Sequence, residues 1–559
     1  MMNNILVIEH ASSGISARLK CDKLEYNNQS KDEDIHQWLI SNKHLLSAVK
    51  VLIISVRLGN EDAEFMGLYI GLHIRLTKEL KEGCLLPILF ITDDSKEDIL
   101  SNQIKNHKEK SGLLLFTKGS YLLSAFSLED YIAKPLSLLD EQTLLATVIP
   151  SLNIQNTKDL GHQLANDWGA FRLAKFAGYS LKKEKPSSLY FKYKDSLTNN
   201  DIGPNASTNI GLCKQACKAL LIDDNSDSGW SEILGYIIKN KIVRIGQKTT
   251  LDVIKTFDEA MKFERFADYD VVFLDLRLLK EEDRANEVND LSDLTGTKIL
   301  RKIKDINSGI QVVIFTASNK VWNIEKLLEL GANGYYIKES PEYTQNDTFS
   351  KENYDELLIT IKKSLSLKFL RRVAKIHKKC LQFILNDRSH RFVEYQNFYD
   401  RTKASFEIAE QLLNKVTIDE KYLNLAFLTY FQIVEDYVSQ EENFKYVSKT
   451  ECYVGNSRVR VVDNSTGNLI WKLTFKRDRF DGDYFEVFDE VKATEISIQT
   501  LAKVSFVLAF SFNQNTSFLK HWGYLNSIRN TKAGHGGDNG YVNIKNIEEI
   551  LEVIELLFS

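Results

Sequence analysis

Four short apolar runs, each ending in a polar side chain, constrain the fold of this 559-residue chain more than any other feature. Two of them end in carboxylates, one in a hydroxyl and one in an amine; they span residues 218–225, 270–277, 311–318 and 334–339. Each run is followed by a segment that can form a helix, the alternating pattern of a parallel sheet covered on both faces. The sequence therefore predicts an α/β doubly wound domain over residues 216–368, with its polar strand ends gathered at one edge.

That edge brings five chemically useful side chains together: Asp223, Asp224, Asp275, Thr316 and Lys338. Three neighbouring carboxylates need a cation, and Mg²⁺ is the expected one because it is a hard ion that takes oxygen ligands. Asp275 is then a candidate nucleophile towards a phosphoryl group, forming an aspartyl phosphate. The Thr316 hydroxyl and the Lys338 amine are candidates for holding the phosphoryl oxygens. The alternative is a doubly wound domain whose acidic strand ends are only solvated.

The order and spacing of these residues resemble the receiver domain of two-component response regulators, with a flavodoxin-like fold. The resemblance implies that Asp223 and Asp224 hold Mg²⁺, that Asp275 is the phosphoacceptor, and that the backbone carbonyl of Arg277 is a further metal ligand. It also implies that Tyr335 is the aromatic switch, and that a histidine kinase is the phosphodonor. Two departures stand out: Glu339 replaces the usual proline after the lysine, and a long charged loop, residues 280–290, follows Asp275.

Residues 1–150 resemble a degenerate copy of the same domain, a pseudo-receiver. The run at 51–58 aligns with 271–278 and places Ser55 where Asp275 stands, while Glu9 and His10 occupy the acidic-pair position. A serine cannot hold phosphate in the same labile linkage, and one carboxylate with an imidazole is a poor Mg²⁺ cage. Lys118 and Lys134 compete as the amine of the closing strand, and Lys134 is preferred because a helical pattern follows it at residues 140–149. The sequence predicts a retained fold, used as a pairing surface, without the chemistry.

Composition bounds the class of protein. The chain is 43% hydrophobic and 26% charged with a net charge of −4, which fits a globular protein of three or four domains and argues against bulk nucleic-acid binding. No apolar run approaches the roughly 18 residues of a membrane helix, and the first residues resemble a strand more than a signal peptide. We therefore expect a cytoplasmic protein without membrane contact.

The remaining segments are predicted to be mainly helical. Residues 151–215 are a helical linker, and residues 369–559 form an all-α domain with a β-hairpin inserted at about 450–490, in which 458–462 pairs with 469–475. A basic helical stretch opens this domain at residues 369–381. One interpretation is a connector that transmits the state of the receiver domain. The alternative is a surface that contacts RNA phosphates.

A second chemical motif lies near the C-terminus, before an amphipathic helix at 544–558. Arg529, Asn530 and His535 resemble the R-x4-6-H motif of the HEPN superfamily. A histidine that titrates near neutrality can move the proton of an RNA 2′-OH, and an arginine can stabilise the charged phosphate. The resemblance implies a metal-independent endoribonuclease whose site is completed by two chains, and hence a homodimer. The alternative is that His535 caps the last helix and Arg529 pairs with a carboxylate such as Glu435.

Two functions follow from these motifs. The first is a response regulator whose phosphorylation at Asp275 controls an RNase output, in stress or phage defence as the resemblance implies. The second is a non-enzymatic two-component adaptor, in which the helical domain is an interaction or dimerisation module.

Overall fold

The computed structural model describes residues 4–10, 13–26, 31–58, 65–95, 97–99, 111–124, 128, 131, 136–154, 161–182, 188–198, 212–279, 294–316, 321–341, 347–386, 395–448, 451–460, 475–477, 485–487, 499–514, 516–534 and 541–559. These residues form two parallel sheets covered by helices and a helical C-terminal region. Within these ranges, none of the helices is long and apolar enough to cross a membrane.

The N-terminal sheet domain is built on five parallel strands in the order β2-β1-β3-β4-β5. They are β1 (Ile5–Glu9), β2 (Asp22–Glu25), β3 (Val51–Ser55), β4 (Ile88–Ile91) and β5 (Ser120–Leu123). The central strands are apolar and buried on both faces, which parallel packing between helices requires. The helices are α1 (Ile15–Leu19), α2 (Asp32–Ser41), α3 (Lys43–Leu46) and α4 (Met66–Leu76), with 3-10 turns at Lys78–Leu85 and Ser111–Phe116.

The closing strand of this sheet differs from the sequence-based preference. The fifth strand is β5, which follows Lys118, whereas the preferred segment ending in Lys134 does not supply it; Lys134 itself lies outside the described residues. Gly119, with a φ of 83°, turns the chain into β5 directly after Lys118. Because Lys118 precedes its strand, it does not take the place that Lys338 holds after the last strand of the second sheet.

Three helical segments lie between the two sheets. Helix α5 comprises Glu141–Thr143, a π-helical turn at Leu144–Val148, and Ile149–Leu152. Helices α6 (Gly161–Ala177) and α7 (Leu189–Leu197) follow. Helix α6 contributes Ala170, Leu173 and Ala174 to the core of the second sheet, whereas α7 contributes Leu189 and Tyr193 to the core of the first. The two helices therefore belong structurally to different domains.

The central sheet domain repeats the architecture, with strand order β7-β6-β8-β9-β10. All its strand pairs are parallel, and the strands are β6 (Cys217–Ile222), β7 (Thr249–Ile254), β8 (Val271–Asp275), β9 (Val312–Thr316) and β10 (Gly334–Ile337). One face is covered by α6, α8 (Trp230–Ile237, extended by a π-helical turn at Ile238–Ile242) and α12 (Asp347–Ser366). The other carries α9 (Phe257–Lys262), α10 (Thr295–Ile306) and α11 (Val321–Glu329), with a 3-10 turn at Arg265–Asp268. A second 3-10 turn, Ser226–Ser228, lies against α6 and α8.

The C-terminal helical domain has one large apolar core. Its helices are α13 (Leu370–Asn386), α14 (Tyr395–Asn414), α15 (Lys421–Ser439), α16 (Thr500–Phe510), α17 (Thr516–Ile528) and α18 (Ile544–Leu557), and α17 continues into a π-helical turn at Arg529–Ala533. Helix α15 lies centrally and packs against α14, α16 and α18. Its apolar run at residues 425–434 supplies much of the shared core.

The β-structure inserted in this domain is larger than the predicted hairpin. Strands β11 (Phe444–Ser448), β12 (Glu451–Val454) and β13 (Ser457–Arg460) form an antiparallel sheet, and β14 (Phe475–Arg477) pairs with β15 (Phe485–Val487). The predicted pairing of 458–462 with 469–475 falls mostly on residues 461–474, outside the described part of the chain. The observed hairpin partner of β13 is β12. Gly455 has a φ of 57°, which a tight two-residue turn between these strands favours.

Candidate functional site

The central sheet brings the acidic residues named from the sequence together at one edge. Asp223 and Asp224 directly follow β6, and Asp275 is the last residue of β8, the strand beside it. One carboxylate oxygen from each of these three residues lies within 4.8 Å of the others. Asp223 and Asp275 are buried and Asp224 is partly exposed, so the cluster opens to solvent on the Asp224 side.

Lys338, directly after β10, places its ammonium group between two of these carboxylates. Its Nζ lies 2.9 Å from Asp223 Oδ2 and 2.5 Å from Asp275 Oδ2. Burial raises the pKa of Asp275, and the Asp223 and Asp224 carboxylates add to this, against the opposing effect of Lys338. Burial lowers the pKa of Lys338, but the two carboxylates outweigh it and raise that pKa overall. The lysine therefore stays charged and neutralises part of the cluster.

The donor set suits the cation that the sequence predicted. Asp223, Asp224 and Asp275 offer only carboxylate oxygens, the ligands that Mg²⁺ prefers. The Lys338 ammonium already lies among them, which shows that the buried carboxylates need positive charge. These three aspartates are the residues that would hold the ion. The carbonyl of Arg277 stays a predicted ligand; the Arg277 N–H lies 3.4 Å from Asp275 Oδ1.

Thr316 lies on β9, and two adjacent tyrosines, Tyr335 and Tyr336, lie on β10. Thr316 ends β9 and is buried, and its carbonyl accepts a 2.7 Å hydrogen bond from the Lys338 N–H, which fixes the two strand ends to each other. Tyr335, the predicted switch, is 39% exposed. Tyr336 points the other way, into the core, with its ring 5.1 Å from that of Phe315. Tyr335 is therefore the tyrosine with an outward side chain, and its switching role stays a prediction.

The backbone beside Asp275 has no room for extra atoms. A Cβ on Gly296, at the start of α10, would lie 2.3 Å from the Asp275 carbonyl oxygen and 2.5 Å from Leu276 Cα. The Gly296 N–H donates to the Leu276 carbonyl at 3.0 Å, and the Thr295 hydroxyl accepts from the Leu278 N–H at 3.0 Å. These contacts fix the start of the loop after Asp275; its charged part, residues 280–293, lies outside the described residues.

An ionic cluster next to Lys338 was missed by the sequence reasoning. Glu339 is buried, and its Oε2 accepts from Arg172 Nε at 3.1 Å and from Ser350 Oγ at 2.8 Å. Arg172 is fully buried in α6 and also contacts Asp347 Oδ1 at 2.7 Å through Nη1. The sequence contained a signal for it, because Arg172 lies one helical turn after Trp168, among the apolar residues Leu164, Phe171 and Phe176 that recur at helical spacing. We name Arg172, Glu339, Asp347, Ser350 and Lys175 the linker ionic cluster.

At the corresponding edge of the N-terminal sheet, the polar side chains form hydrogen bonds with neighbouring residues. Glu9 accepts from the Ile15 N–H at 2.8 Å, and also from the backbone and hydroxyl of Ser16. The Ser55 hydroxyl donates to the Arg57 carbonyl at 3.0 Å. Arg57 pairs with Asp94 through two hydrogen bonds of 2.8 and 3.0 Å. The Glu9 carboxylate is thus used to hold α1, and this edge lacks the triple-carboxylate arrangement among its described residues.

The C-terminal motif is described only in part. Arg529 and Asn530 lie on the π-helical turn after α17, with Arg529 Nη1 3.1 Å from Asn530 Oδ1, whereas His535 lies outside the described residues. Arg529 Nη2 is 3.6 Å from Glu435 Oε1, and its guanidinium lies over the Phe431 ring at 5.4 Å. The ion pair named in the alternative interpretation is therefore present. Arg529 is nevertheless 43% exposed, so it also faces solvent.

The basic helix α13 uses several of its charges within the chain. Arg371 donates to the carbonyls of Ala267 and Tyr269 and pairs with Asp270, each at 2.7 Å. Arg372 and Lys379 pair with Glu552 and Glu555 of α18, at 3.0 and 2.9 Å. These contacts join the central sheet, at the end of β8 opposite Asp275, to the helical domain; the connector role stays a prediction.

Comparison with known proteins finds one family model that matches the N-terminal part of the chain. Residues 2–123 match the family model described as "Inactive Receiver domain". No curated protein matches the chain. Among solved structures, the receiver domain of the Francisella response regulator 1452 is 22% identical and is covered over 97% of its length by 27% of this chain, with a TM-score of 0.18.

Two further solved structures show similar values. A response regulator receiver domain protein from Clostridium thermocellum is 23% identical, with 98% of it and 28% of this chain covered and a TM-score of 0.19. NtrX from Brucella abortus is 19% identical, with 30% of each chain covered and a TM-score of 0.21. Over residues 2–123 this chain is therefore similar to inactive receiver domains. The hydrogen bonds of Glu9 and Ser55 to neighbouring residues are consistent with that similarity, because they occupy the polar groups at this edge.

Proposed function

We propose that this chain is a cytoplasmic response regulator in which Asp275 accepts a phosphoryl group from a partner histidine kinase. The supporting observation is the Lys338 ammonium held between the buried carboxylates of Asp223 and Asp275. A carboxylate nucleophile and a cation for the phosphoryl oxygens thus lie in contact before any substrate arrives. The N-terminal domain, similar to inactive receivers, is the non-reacting partner.

The transfer is a single displacement at phosphorus. An Asp275 carboxylate oxygen forms the new P–O bond while the P–N bond to the kinase imidazole breaks; the imidazole leaves with the electron pair and takes a proton from solvent. Lys338 then moves to the phosphoryl oxygens, and the Thr316 hydroxyl donates to them. Mg²⁺, when bound by the three aspartates, supplies positive charge against the phosphoryl oxygens.

Beryllofluoride, a mimic of the aspartyl phosphate, tests this assignment. The Lys338 ammonium lies 5.2 Å from the centre of the buried Trp230 ring, so Trp230 fluorescence should report movement of Lys338. We expect a saturable change with beryllofluoride and Mg²⁺ that is lost in Asp275→Asn and in Trp230→Phe. Asp258→Asn, an exposed aspartate of α9, is the control and should respond like the wild type. A wild-type protein that shows no response by fluorescence or by calorimetry contradicts the assignment.

We propose two candidate outputs for the helical domain, because different observations favour each. Exposure of Arg529 on a π-helical turn, an irregularity frequent at functional sites, favours a HEPN-type RNase with Arg529, Asn530 and His535. The Arg529 ion pair with Glu435 favours the adaptor, in which Arg529 is structural. The RNase requires a homodimer, since two chains would complete one site.

RNA cleavage by the full chain, with and without beryllofluoride and Mg²⁺, separates the two outputs. The RNase predicts cleavage that is lost in Arg529→Ala and in His535→Ala. Arg372→Ala is a matched control, because Arg372 is 47% exposed and paired with Glu552, as Arg529 is exposed and paired with Glu435. If no RNA is cut in either state while beryllofluoride changes the sedimentation of the protein, the adaptor is correct and the RNase is wrong.

A further inference from the structure

We propose that helix α6 reads the state of the Asp275 site, and that Arg172 in this helix is a positioning residue for Lys338. This inference rests on the proposed phosphoryl acceptance at Asp275. It assigns a role to a helix that lies outside the central sheet domain in sequence, and to the glutamate that replaces the usual proline after Lys338. Its consequence is that the N-terminal domain of the same chain is mechanically linked to the reacting site.

The first support is the chemistry around Glu339. Arg172 uses three nitrogens on three different partners: Nε on Glu339 at 3.1 Å, Nη2 on Ser350 at 2.6 Å and Nη1 on Asp347 at 2.7 Å. Lys175 of the same helix shares Asp347 at 3.1 Å. Two cations of α6 thus meet two carboxylates of the central domain, so the linker ionic cluster is balanced in charge. A buried pair of this kind contributes little net stability but fixes one geometry, since neither charge can be left alone.

The second support is the close approach of α6 to both neighbours of the Lys338 side chain. A Cβ on Gly169 would lie 2.9 Å from the Glu339 carbonyl oxygen and 2.9 Å from Trp230 Cζ2. Glu339 is the chain neighbour of Lys338, and the Trp230 ring lies 5.2 Å from its ammonium. The Trp230 Nε1–H also donates to Asn166 Oδ1 of α6 at 3.1 Å. Helix α6 therefore contacts the backbone of the residue next to Lys338 and the ring packed beside the Lys338 ammonium.

A phosphoryl group on Asp275 must change these contacts. Lys338 now bridges Asp223 and Asp275, and it has to leave that bridge to bind phosphoryl oxygens. Glu339, fixed to Arg172, sets the position of the peptide from which Lys338 reaches. Since the interior is close-packed, movement at Lys338 is transmitted to α6 as a shift between packed states.

Helix α7 carries the link to the N-terminal domain. Phe191 of α7 packs against Trp168 and Phe171 of α6, with ring centroids 5.0 and 5.3 Å apart. The buried Lys192 ammonium of α7 contacts Thr77 Oγ1 at 2.9 Å and His73 Nδ1 at 3.3 Å in the N-terminal domain. Contacts are thus continuous from Lys338 through α6 and α7 to α4. The inactive domain is the element that receives the signal through this route.

The test compares the affinity for Mg²⁺ with the affinity for beryllofluoride in the full-length protein. Mg²⁺ alone binds the three aspartates, which Arg172 does not touch, whereas beryllofluoride also requires Lys338. We expect Arg172→Met to leave the Mg²⁺ affinity unchanged and to weaken beryllofluoride binding about five- to fiftyfold, the range of ordinary coupling between sites. Arg172→Lys keeps the charge but cannot contact Glu339, Ser350 and Asp347 at the same time, so its loss of beryllofluoride affinity should be intermediate. A merely structural role would not separate the two affinities.

The control is Arg371→Met, which removes an arginine paired with Asp270 at the opposite end of β8. It should leave both affinities at the wild-type value. Hydrogen exchange gives a second readout: beryllofluoride should change the exchange of residues 189–197 in the wild type and not in Arg172→Met. If Arg172→Met misfolds by its melting curve, Arg172→Lys carries the comparison.

Each outcome decides the inference. Wild-type beryllofluoride affinity in the Arg172 variants, or unchanged exchange in α7 of the wild type, overturns the inference and leaves the proposed function standing. A wild-type protein that binds Mg²⁺ but no beryllofluoride overturns the proposed function itself. A selective loss of beryllofluoride affinity at Arg172, with Arg371→Met unaffected, supports α6 as the reader of the site.

Discussion

Replacing Lys338 by methionine is the sharpest perturbation of the acidic site. The change keeps a long side chain and removes the charge that lies 2.9 Å from Asp223 and 2.5 Å from Asp275. Removing one partner of a buried ion pair costs about 3–5 kcal/mol, because the remaining charge is left without compensation. Over a domain of about 150 residues, roughly 2–4 °C per kcal/mol converts this to a fall in melting temperature of about 6–20 °C.

Magnesium should restore much of that loss. The ion neutralises the same carboxylates, so its stabilising effect should be larger in Lys338→Met than in the wild type. Thermal unfolding in chelator and in Mg²⁺ measures both quantities, and Lys298→Met, an exposed lysine of α10, is the control. Equal melting temperatures of Lys338→Met and the wild type in chelator would contradict this role of Lys338, because the ammonium would then not be compensating buried charge.

Three further changes follow from the packing. Gly296→Ala, whose Cβ would lie 2.3 Å from the Asp275 carbonyl, should cost about 1–3 kcal/mol in urea unfolding and weaken beryllofluoride binding; an unchanged midpoint contradicts it. Arg75→Leu removes a buried guanidinium that holds three backbone carbonyls at 2.6–2.9 Å, and should cost about 3 kcal/mol or more in the unfolding of the N-terminal domain. Burial lowers the pKa of His377 to about 3, so the unfolded chain gains this proton as pH falls through about 6.5 while the folded chain stays neutral at that residue. The wild type should therefore lose about 1.6 kcal/mol more stability than His377→Phe between pH 6.5 and 5, and parallel stability curves contradict this.

The sequence was most informative where strands are fully buried. Parallel strands between two helical layers need uninterrupted apolar runs, so the buried strands β6, β8 and β9 and their polar ends stood out. The partly exposed edge strand β10 was recognised with them because Lys338 follows it. The edge strand β7, with Thr249 and Asp252 among its residues, has a mixed pattern and gave no such signal. Similar reasoning failed at the fifth strand of the N-terminal sheet. The helical pattern at residues 140–149 favoured Lys134, but the turn at Gly119 starts β5 earlier.

The linker ionic cluster shows what local patterns cannot provide. Arg172 and Glu339 are 167 residues apart, and each alone resembles an ordinary charged residue on a helix or after a strand. Only the fold shows that both residues are buried and that Arg172 of α6 compensates the negative charge of Glu339. The C-terminal motif illustrates the converse case: residue types permitted a catalytic role for Arg529, and the structure adds the competing pair with Glu435.

Covalent labelling of Asp275 is the direct test of phosphoryl acceptance at this residue. The full-length protein is incubated with Mg²⁺ and a small-molecule phosphodonor, and the modified site is located by mass spectrometry of its peptides after trapping the acyl phosphate. We expect one phosphoryl group, carried by the peptide that contains Asp275 and absent from Asp275→Asn. The absence of label in the wild type, or label that persists in Asp275→Asn, would contradict phosphoryl transfer to Asp275.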